Sequence, residues 1–157
     1  KLKNMVVVSP DVGGLKMARA YAKRLGADLA IVDKRRASPE KTEVMHVLGN
    51  VRGKNAIMVD DIIATGGSMI EAAEVLRKKG VKSIYAAVSH GILSGPALER
   101  IRNCVVLKEV VITDSIPLKN PDKNPKVKVL SVAQLLAEAI GRIHNEESIS
   151  SLFEEPK

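Results

Sequence analysis

Short apolar segments alternate with amphipathic stretches along the chain. Residues 5–9, with the sequence MVVVS, form a β-branched apolar run that ends before Pro10, and such a run predicts a buried strand. Apolar residues then recur at helical spacing from residue 15 to residue 25, and Gly26 follows as a predicted C-cap. The remaining predictions are strands over residues 29–32, 44–48, 56–59, 84–88, 110–113 and 127–130, and helices over residues 67–79, 96–101 and 132–144.

This alternation predicts an α/β fold in which helices cover both faces of a parallel sheet. We expect residues 1–157 to form a single domain, because the chain has the length of one domain and shows no internal repeat. Residues 33–41 are charged and contain a proline, so they are predicted to be an exposed loop. Ligands of parallel sheets bind at the carboxyl ends of the strands. The polar segments that follow the strands ending at Ser9, Val32 and Val59 are therefore expected to form one composite site.

The chain carries a formal net charge of +7 and a pI near 9.6, which favours anionic partners. Nucleic acid is disfavoured, because the chain has three aromatic residues for base stacking and no basic helical stripe. No apolar run reaches the roughly 18–20 residues of a membrane span, and a single cysteine, Cys104, excludes an internal disulfide. We therefore expect a cytoplasmic protein whose partners are phosphorylated small molecules.

The strongest chemical signal is the segment VDDIIATGGS at residues 59–68. Asp60 and Asp61 at a strand end suit vicinal hydroxyls, because ionised carboxylates only accept hydrogen bonds and hydroxyls can donate them. The TGGS segment at residues 65–68 then begins a predicted helix, whose free amides and positive dipole end favour a phosphate. The alternative is a glycine turn with two ordinary capping acids. We predict a ribose 5-phosphate site made of Asp60, Asp61, Ala64, Thr65, Gly66, Gly67 and Ser68.

This segment resembles the phosphoribosyl-diphosphate motif shared by type I phosphoribosyltransferases and ribose-phosphate diphosphokinases. Two further segments favour the diphosphokinases: SPDVGG at residues 9–14 resembles their second-domain pyrophosphate-side loop, and AIVDKRR at residues 30–36 resembles their flexible catalytic loop. Residues 43–45, 89–97 and 146–153 are also similar to that family. The resemblance implies a three-layer, Rossmann-like domain of the type I phosphoribosyltransferase type. It also implies that the chain is the C-terminal half of a two-domain, bacterial-type enzyme.

The family transfers diphosphate from ATP to the C1 hydroxyl of ribose 5-phosphate, giving phosphoribosyl diphosphate and AMP. The resemblance implies that Lys34 and Arg36 are catalytic cations and that Arg36 also contacts the sugar phosphate. It further implies that Asp11 binds Mg²⁺ and that the full-length protein is a homo-oligomer. Without the resemblance, residues 33–36 would be a solvated charged turn and Asp11 a helix N-cap.

Three alternatives stay open at this stage. A type I phosphoribosyltransferase is favoured by Ala64, since many bacterial diphosphokinases carry an acid there, and is opposed by Lys34 and by residues 148–153. A non-catalytic regulatory paralogue would not need to keep Lys34 and Arg36. A nucleic-acid-binding module rests on charge alone.

In the family, adenine contacts come from the N-terminal half and a neighbouring subunit, so we expect this chain alone to bind ribose 5-phosphate but to turn over poorly.

Overall fold

The computed structural model describes residues 2–35, 44–118 and 124–153, with the side chains of residues 35 and 44 also outside the description. Strands and helices alternate through these residues. In chain order the elements are β1 (Met5–Ser9), α1 (Leu15–Leu25), β2 (Asp28–Arg35), β3 (Val44–Leu48), β4 (Asn55–Ile63), α2 (Gly67–Lys78), β5 (Ser83–Gly91), α3 (Ala97–Asn103), β6 (Leu107–Thr113), β7 (Val127–Leu130), α4 (Ala133–His144) and a 3₁₀ turn (Ser150–Phe153).

The strands form one sheet in the order β3-β2-β1-β4-β5-β6-β7. Neighbouring strands pair in parallel, except that β3 pairs antiparallel with β2 at the edge. The chain winds outward from β1 to β3 and then returns to β4 beside β1. The connections that leave the carboxyl ends of β1 and β4 therefore run in opposite directions along the sheet. The place where they part is the switch point of the sheet, and a crevice opens there. The predicted α/β fold class is confirmed.

The core lies on both faces of the central strands. Val6, Val7 and Val8 of β1 are all fully buried, as expected for a parallel strand covered on two sides. Val7 packs with α1, whereas Val6 and Val8 belong to the larger cluster that includes α2 and α3. The helical spacing of α2 is also confirmed, because its buried residues are the four that the pattern predicted to share one face: Met69, Ala72, Ala73 and Leu76.

Four strands, β2, β4, β5 and β6, are longer than the sequence pattern predicts. β4 continues past Val59 because its pairing with β5 extends as far as Ile63, opposite Gly91. β2 continues to Arg35 because it pairs with β3 as far as that residue. The expectation that residues 33–41 form a loop is therefore wrong for residues 33–35, and residues 36–43 lie outside the described residues. Backbone hydrogen bonds to a neighbouring strand hold these polar segments extended, which local composition does not reveal.

Helix α4 forms where predicted but does not bury its apolar face. None of its residues is buried, and its large apolar side chains remain mostly exposed. Its start is attached to the sheet, because the Asp114 carboxylate accepts a hydrogen bond from the Val132 N–H at 2.9 Å. Within residues 2–35, 44–118 and 124–153, none of the helices combines the length and apolar character that a membrane span requires. The exposed apolar residues of α4 are Leu135, Leu136, Ile140 and Ile143.

Candidate functional site

A cleft of about 290 Å³ opens between the end of β4 and the start of α2. All the residues predicted from the VDDIIATGGS segment to contact a sugar phosphate line it, and Asp11 reaches it from the segment after β1. The crevice at the switch point thus brings together two segments that lie about 50 residues apart in the chain. The lining residues are Asp11, Asp60, Asp61, Ile62, Ile63, Ala64, Thr65, Gly66, Gly67, Ser68 and Met69.

Residues 64–68, called the phosphate loop below, lead from β4 into α2. Gly66 has a φ of 73°, in the left-handed region that favours glycine, and this conformation turns the chain into the helix. Its carbonyl accepts the N–H of Ile70 at 3.0 Å, which starts the helical hydrogen bonds. The first turn of α2 contains no acidic residue, so no carboxylate of that turn offsets its positive dipole end. This is the geometry of an anion-binding helix N-terminus.

Asp60 is a half-buried carboxylate with acidic neighbours. Its Oδ1 accepts the backbone N–H of Asp61 at 2.9 Å. Burial raises the pKa of Asp60 from its ordinary value of 3.8 to about 6. The Asp61 N–H opposes this rise, and the carboxylates of Asp11 and Asp61 add to it. Three acidic side chains therefore lie close enough to repel one another, and hydroxyl donors or a cation placed among them would relieve the repulsion.

The segment between β1 and α1 is held by short-range hydrogen bonds. The Ser9 hydroxyl donates to the Asp11 carbonyl at 2.6 Å, and the Asp11 Oδ1 accepts the Gly14 N–H at 2.9 Å. A Cβ at residue 14 would lie only 2.8 Å from the Ser9 Oγ, so a side chain there would force one of the two groups to shift. Asp11 thus stabilises the turn before α1, but the alternative interpretation of Asp11 as the helix N-cap is wrong, because Gly14 holds that position. The same carboxylate faces the cleft.

The residues around Asp11 fit Mg²⁺ only if substrate phosphates and water supply the other ligands of the ion. Among residues 2–35, 44–118 and 124–153, no group of three or more His, Cys, Asp or Glu side chains is arranged to hold a metal ion. Mg²⁺ is commonly bound by one or two carboxylates together with substrate phosphates and water. The carboxylates of Asp11 and Asp60 meet that requirement, whereas an all-protein metal cage is not present in the described part of the chain. Magnesium binding by Asp11 stays a prediction.

A second cleft, of about 670 Å³, lies on the α1 side of the same carboxylates. Lys16 in the first turn of α1 lines it, and this cation was missed by the sequence analysis. The two clefts share three acids, which therefore stand at the junction of two adjoining spaces. The lining residues of the second cleft are Asp11, Gly13, Gly14, Lys16, Met17, Ala20, Asp60 and Asp61.

Of the two predicted catalytic cations, Lys34 lies within the described residues and Arg36 does not. Lys34, near the end of β2, lies with its Nζ 3.2 Å from the Oε2 of Glu71 on α2, and it lines neither cleft. Arg36 lies outside the described residues. The pairing with Glu71 nevertheless brings Lys34 to the helix whose N-terminus forms the phosphate loop. Glu71 was not predicted, because its proximity to Lys34 depends on the sheet order and not on spacing in the chain.

A family model described as phosphoribosyl synthetase-associated domain matches residues 36–154. The chain belongs to this family. A ribose-phosphate pyrophosphokinase (another name for the diphosphokinase) from Clostridium acetobutylicum is 51% identical over 152 residues, which cover 97% of this chain and 47% of the relative. A second ribose-phosphate pyrophosphokinase, from Caldanaerobacter subterraneus, is 53% identical over 150 residues, which cover 96% and 47%. The chain thus spans about half the length of the curated relatives it matches.

A solved structure supports the same assignment. Phosphoribosylpyrophosphate synthetase from Mycobacterium smegmatis matches with a TM-score of 0.84 and 38% identity, over 91% of this chain and 46% of that one. The architecture of the phosphoribosyl synthetase-associated domain is therefore that of its family.

Proposed function

We propose that this chain is the sugar-phosphate-binding domain of a ribose-phosphate diphosphokinase and that it binds ribose 5-phosphate and phosphoribosyl diphosphate. The observation that carries the proposal is the meeting of two carboxylates and an anion-binding helix N-terminus in one cleft. The free amides and the positive dipole end of α2 can bind a phosphate. The 2- and 3-hydroxyls of the same ribose then need hydrogen-bond acceptors close to that phosphate. The phosphate loop and Asp60–Asp61 supply these two requirements side by side.

The second cleft gives this ligand a direction. The α1-side cleft begins at the same carboxylates that we assign to the 2- and 3-hydroxyls, and we propose that it receives the group attached to C1 of the sugar. Lys16 lines that cleft, and a cation there suits a diphosphate. Asp11 would hold Mg²⁺ at this site, and the ion would neutralise negative charge on the diphosphate.

The proposed reaction is diphosphoryl transfer. The C1 oxygen forms a bond to the β-phosphorus of ATP, the bond from that phosphorus to the bridging α,β-oxygen breaks, AMP leaves, and the hydroxyl proton passes to solvent or to a nearby base. Negative charge spreads over the transferring phosphoryl oxygens, so positioned cations lower the barrier. From the resemblance we assign this role to Lys34 and Arg36, and Arg36 also contacts the 5-phosphate. The adenine contacts, the homo-oligomer and the cytoplasmic location belong to the proposal for the full-length protein.

Calorimetry with ribose 5-phosphate tests the proposal directly. The wild-type chain should bind the ligand, and Asp60→Asn should weaken binding about 10-fold or more, because hydrogen bonds to a charged acceptor contribute about 1.5–3 kcal/mol. Glu138→Gln is the matched control: it removes one negative charge from α4, where Glu138 pairs with Arg142 at 3.0 Å and lines neither cleft. The proposal fails if the wild type does not bind ribose 5-phosphate, or if both variants bind it like the wild type.

Activity assays separate the diphosphokinase from a type I phosphoribosyltransferase. We expect slow formation of AMP from ATP and ribose 5-phosphate by this chain alone. Mixing the chain with the part of a relative that it does not match should raise that rate. Incubation with phosphoribosyl diphosphate and a nucleobase should release no diphosphate. Release of diphosphate in the second assay, without AMP formation in the first, would favour the phosphoribosyltransferase instead.

A further inference from the structure

The carbonyl groups at the start of the phosphate loop all bond to one neighbouring segment. The carbonyls of residues 63–65 accept hydrogen bonds, in order, from the Leu93 N–H at 3.1 Å, the Ser94 N–H at 3.0 Å and the Arg100 Nη1 at 2.9 Å. Two of these donors are backbone groups of the connection between β5 and α3. The third is a side chain on α3, and it is the one that a substitution can remove.

These carbonyl bonds set the direction of the amides that face a ligand. The peptide bonds of the described residues are trans, so the C=O of one residue and the N–H of the next point in opposite directions. With the carbonyls of residues 63–65 directed toward residues 93–100, the N–H groups of residues 64–66 must point away from that segment. Residues 64–66 line the 290 Å³ cleft and residues 93–100 do not. The amides therefore point to the side on which the cleft opens.

Arg100 adds a charge to this arrangement. Its guanidinium lies beside the first residue of α2, since a Cβ on Gly67 would be 3.5 Å from the Arg100 Nη1. The guanidinium does not line the 290 Å³ cleft. It would therefore act on a bound phosphate through its charge and not through direct contact. Its positive charge has the same sign as the dipole end of α2, and both favour an anion in the cleft.

We propose that Arg100 is a positioning residue for the phosphate site: it holds the Thr65 carbonyl so that the Gly66 N–H faces the 5-phosphate, and its charge strengthens the attraction. This inference rests on the proposed function, because it takes the phosphate of ribose 5-phosphate as the ligand. It assigns a role to a residue of α3 that lies 35 positions from Thr65 in the chain.

The test compares Arg100→Met, which removes the donor and the charge, with Arg100→Lys, which keeps a cation. The control is Arg77→Met, which removes a positive charge from the last turn of the same helix α2, where Arg77 pairs with Glu74. Each variant is measured by calorimetry with ribose 5-phosphate at low and high salt. Amide NMR signals of residues 64–66 are recorded in the ligand-free protein, and thermal unfolding is followed alongside.

Arg100→Met should raise the Kd about 3- to 10-fold, shift the ligand-free amide signals of residues 64–66 and leave the melting temperature almost unchanged. Arg100→Lys should restore most of the affinity, and the Arg77→Met control should bind like the wild type. Unchanged affinity and unchanged loop signals in Arg100→Met would overturn the inference while the proposed function stands. If the wild type binds no ribose 5-phosphate, the proposed function fails, and with it the role of Arg100 in ligand binding; the amide signals then decide only whether Arg100 holds the loop.

Discussion

Asp60→Asn is expected to stabilise the ligand-free protein at neutral pH while it weakens ligand binding. The pKa of Asp60 is raised to about 6 in the folded protein, so the folded state binds this proton more tightly than the unfolded chain does. The free energy of unfolding therefore falls as the pH rises from about 4 to about 6, and above that range the penalty is complete. Asparagine has no charge to desolvate, and its side-chain oxygen can still accept the Asp61 N–H.

The size of this effect follows from the pKa and from the exposure of the side chain. A rise from 3.8 to about 6 would correspond to about 3 kcal/mol if the whole change reached the folding equilibrium. Asp60 is only half-buried, and solvent screening reduces the contribution of such groups. We therefore expect Asp60→Asn to raise the free energy of unfolding by about 1 kcal/mol at pH 7.5. At pH 4.5, where most of the Asp60 carboxyl is already protonated in the folded protein, the gain should be smaller.

Urea unfolding followed by circular dichroism measures this difference at pH 4.5 and pH 7.5. The control Glu138→Gln removes an exposed acid and should change stability by no more than about 0.5 kcal/mol at either pH. A loss of stability at pH 7.5, or a gain of equal size at both values, would refute the electrostatic reasoning. A gain in stability together with a loss of binding is the pattern expected when a protein keeps a repulsive group for its ligand.

Three further outcomes are expected. The Kd of the wild type for ribose 5-phosphate should rise as the pH falls through about 6, because Asp60 takes up a proton there. The phosphate of the sugar also takes up a proton near pH 6. The pH dependence that Asp60→Asn loses relative to the wild type is therefore the part that Asp60 contributes. Gly14→Ala should lower the free energy of unfolding by about 1–3 kcal/mol in urea titrations, since its Cβ would lie 2.8 Å from the Ser9 Oγ, and Ser9→Ala should relieve part of that loss. Glu71→Gln should tighten binding of inorganic phosphate about 2- to 5-fold at low salt, because it removes from α2 the negative charge that pairs with Lys34. The free energy of unfolding should stay within about 0.5 kcal/mol of the wild-type value, and equal affinity would show that this carboxylate does not weaken phosphate binding.

Several features of the fold are encoded by residues that lie close together in the chain. β1 has the predicted bounds, Gly26 ends α1 with a φ of 57°, and the buried residues of α2 are the predicted ones. These features depend on residues a few positions apart, whose periodicity is visible along one chain. The segment VDDIIATGGS, which lines the cleft, was visible for the same reason, because its acids, glycines and hydroxyls are contiguous.

The sequence alone thus determined the element types, the α/β class and the segment that lines the cleft. Only the tertiary structure decided how far β4 extends, that β3 runs antiparallel, that α4 leaves its apolar face exposed, and that Lys34 meets Glu71 while Arg100 holds Thr65. The physical reason is that these features are contacts between residues 9 to 37 positions apart or, for α4, the lack of an element packed on its face within the described residues. Hydrophobic periodicity sets which side of an element is buried, but the order of strands in the sheet sets which elements meet.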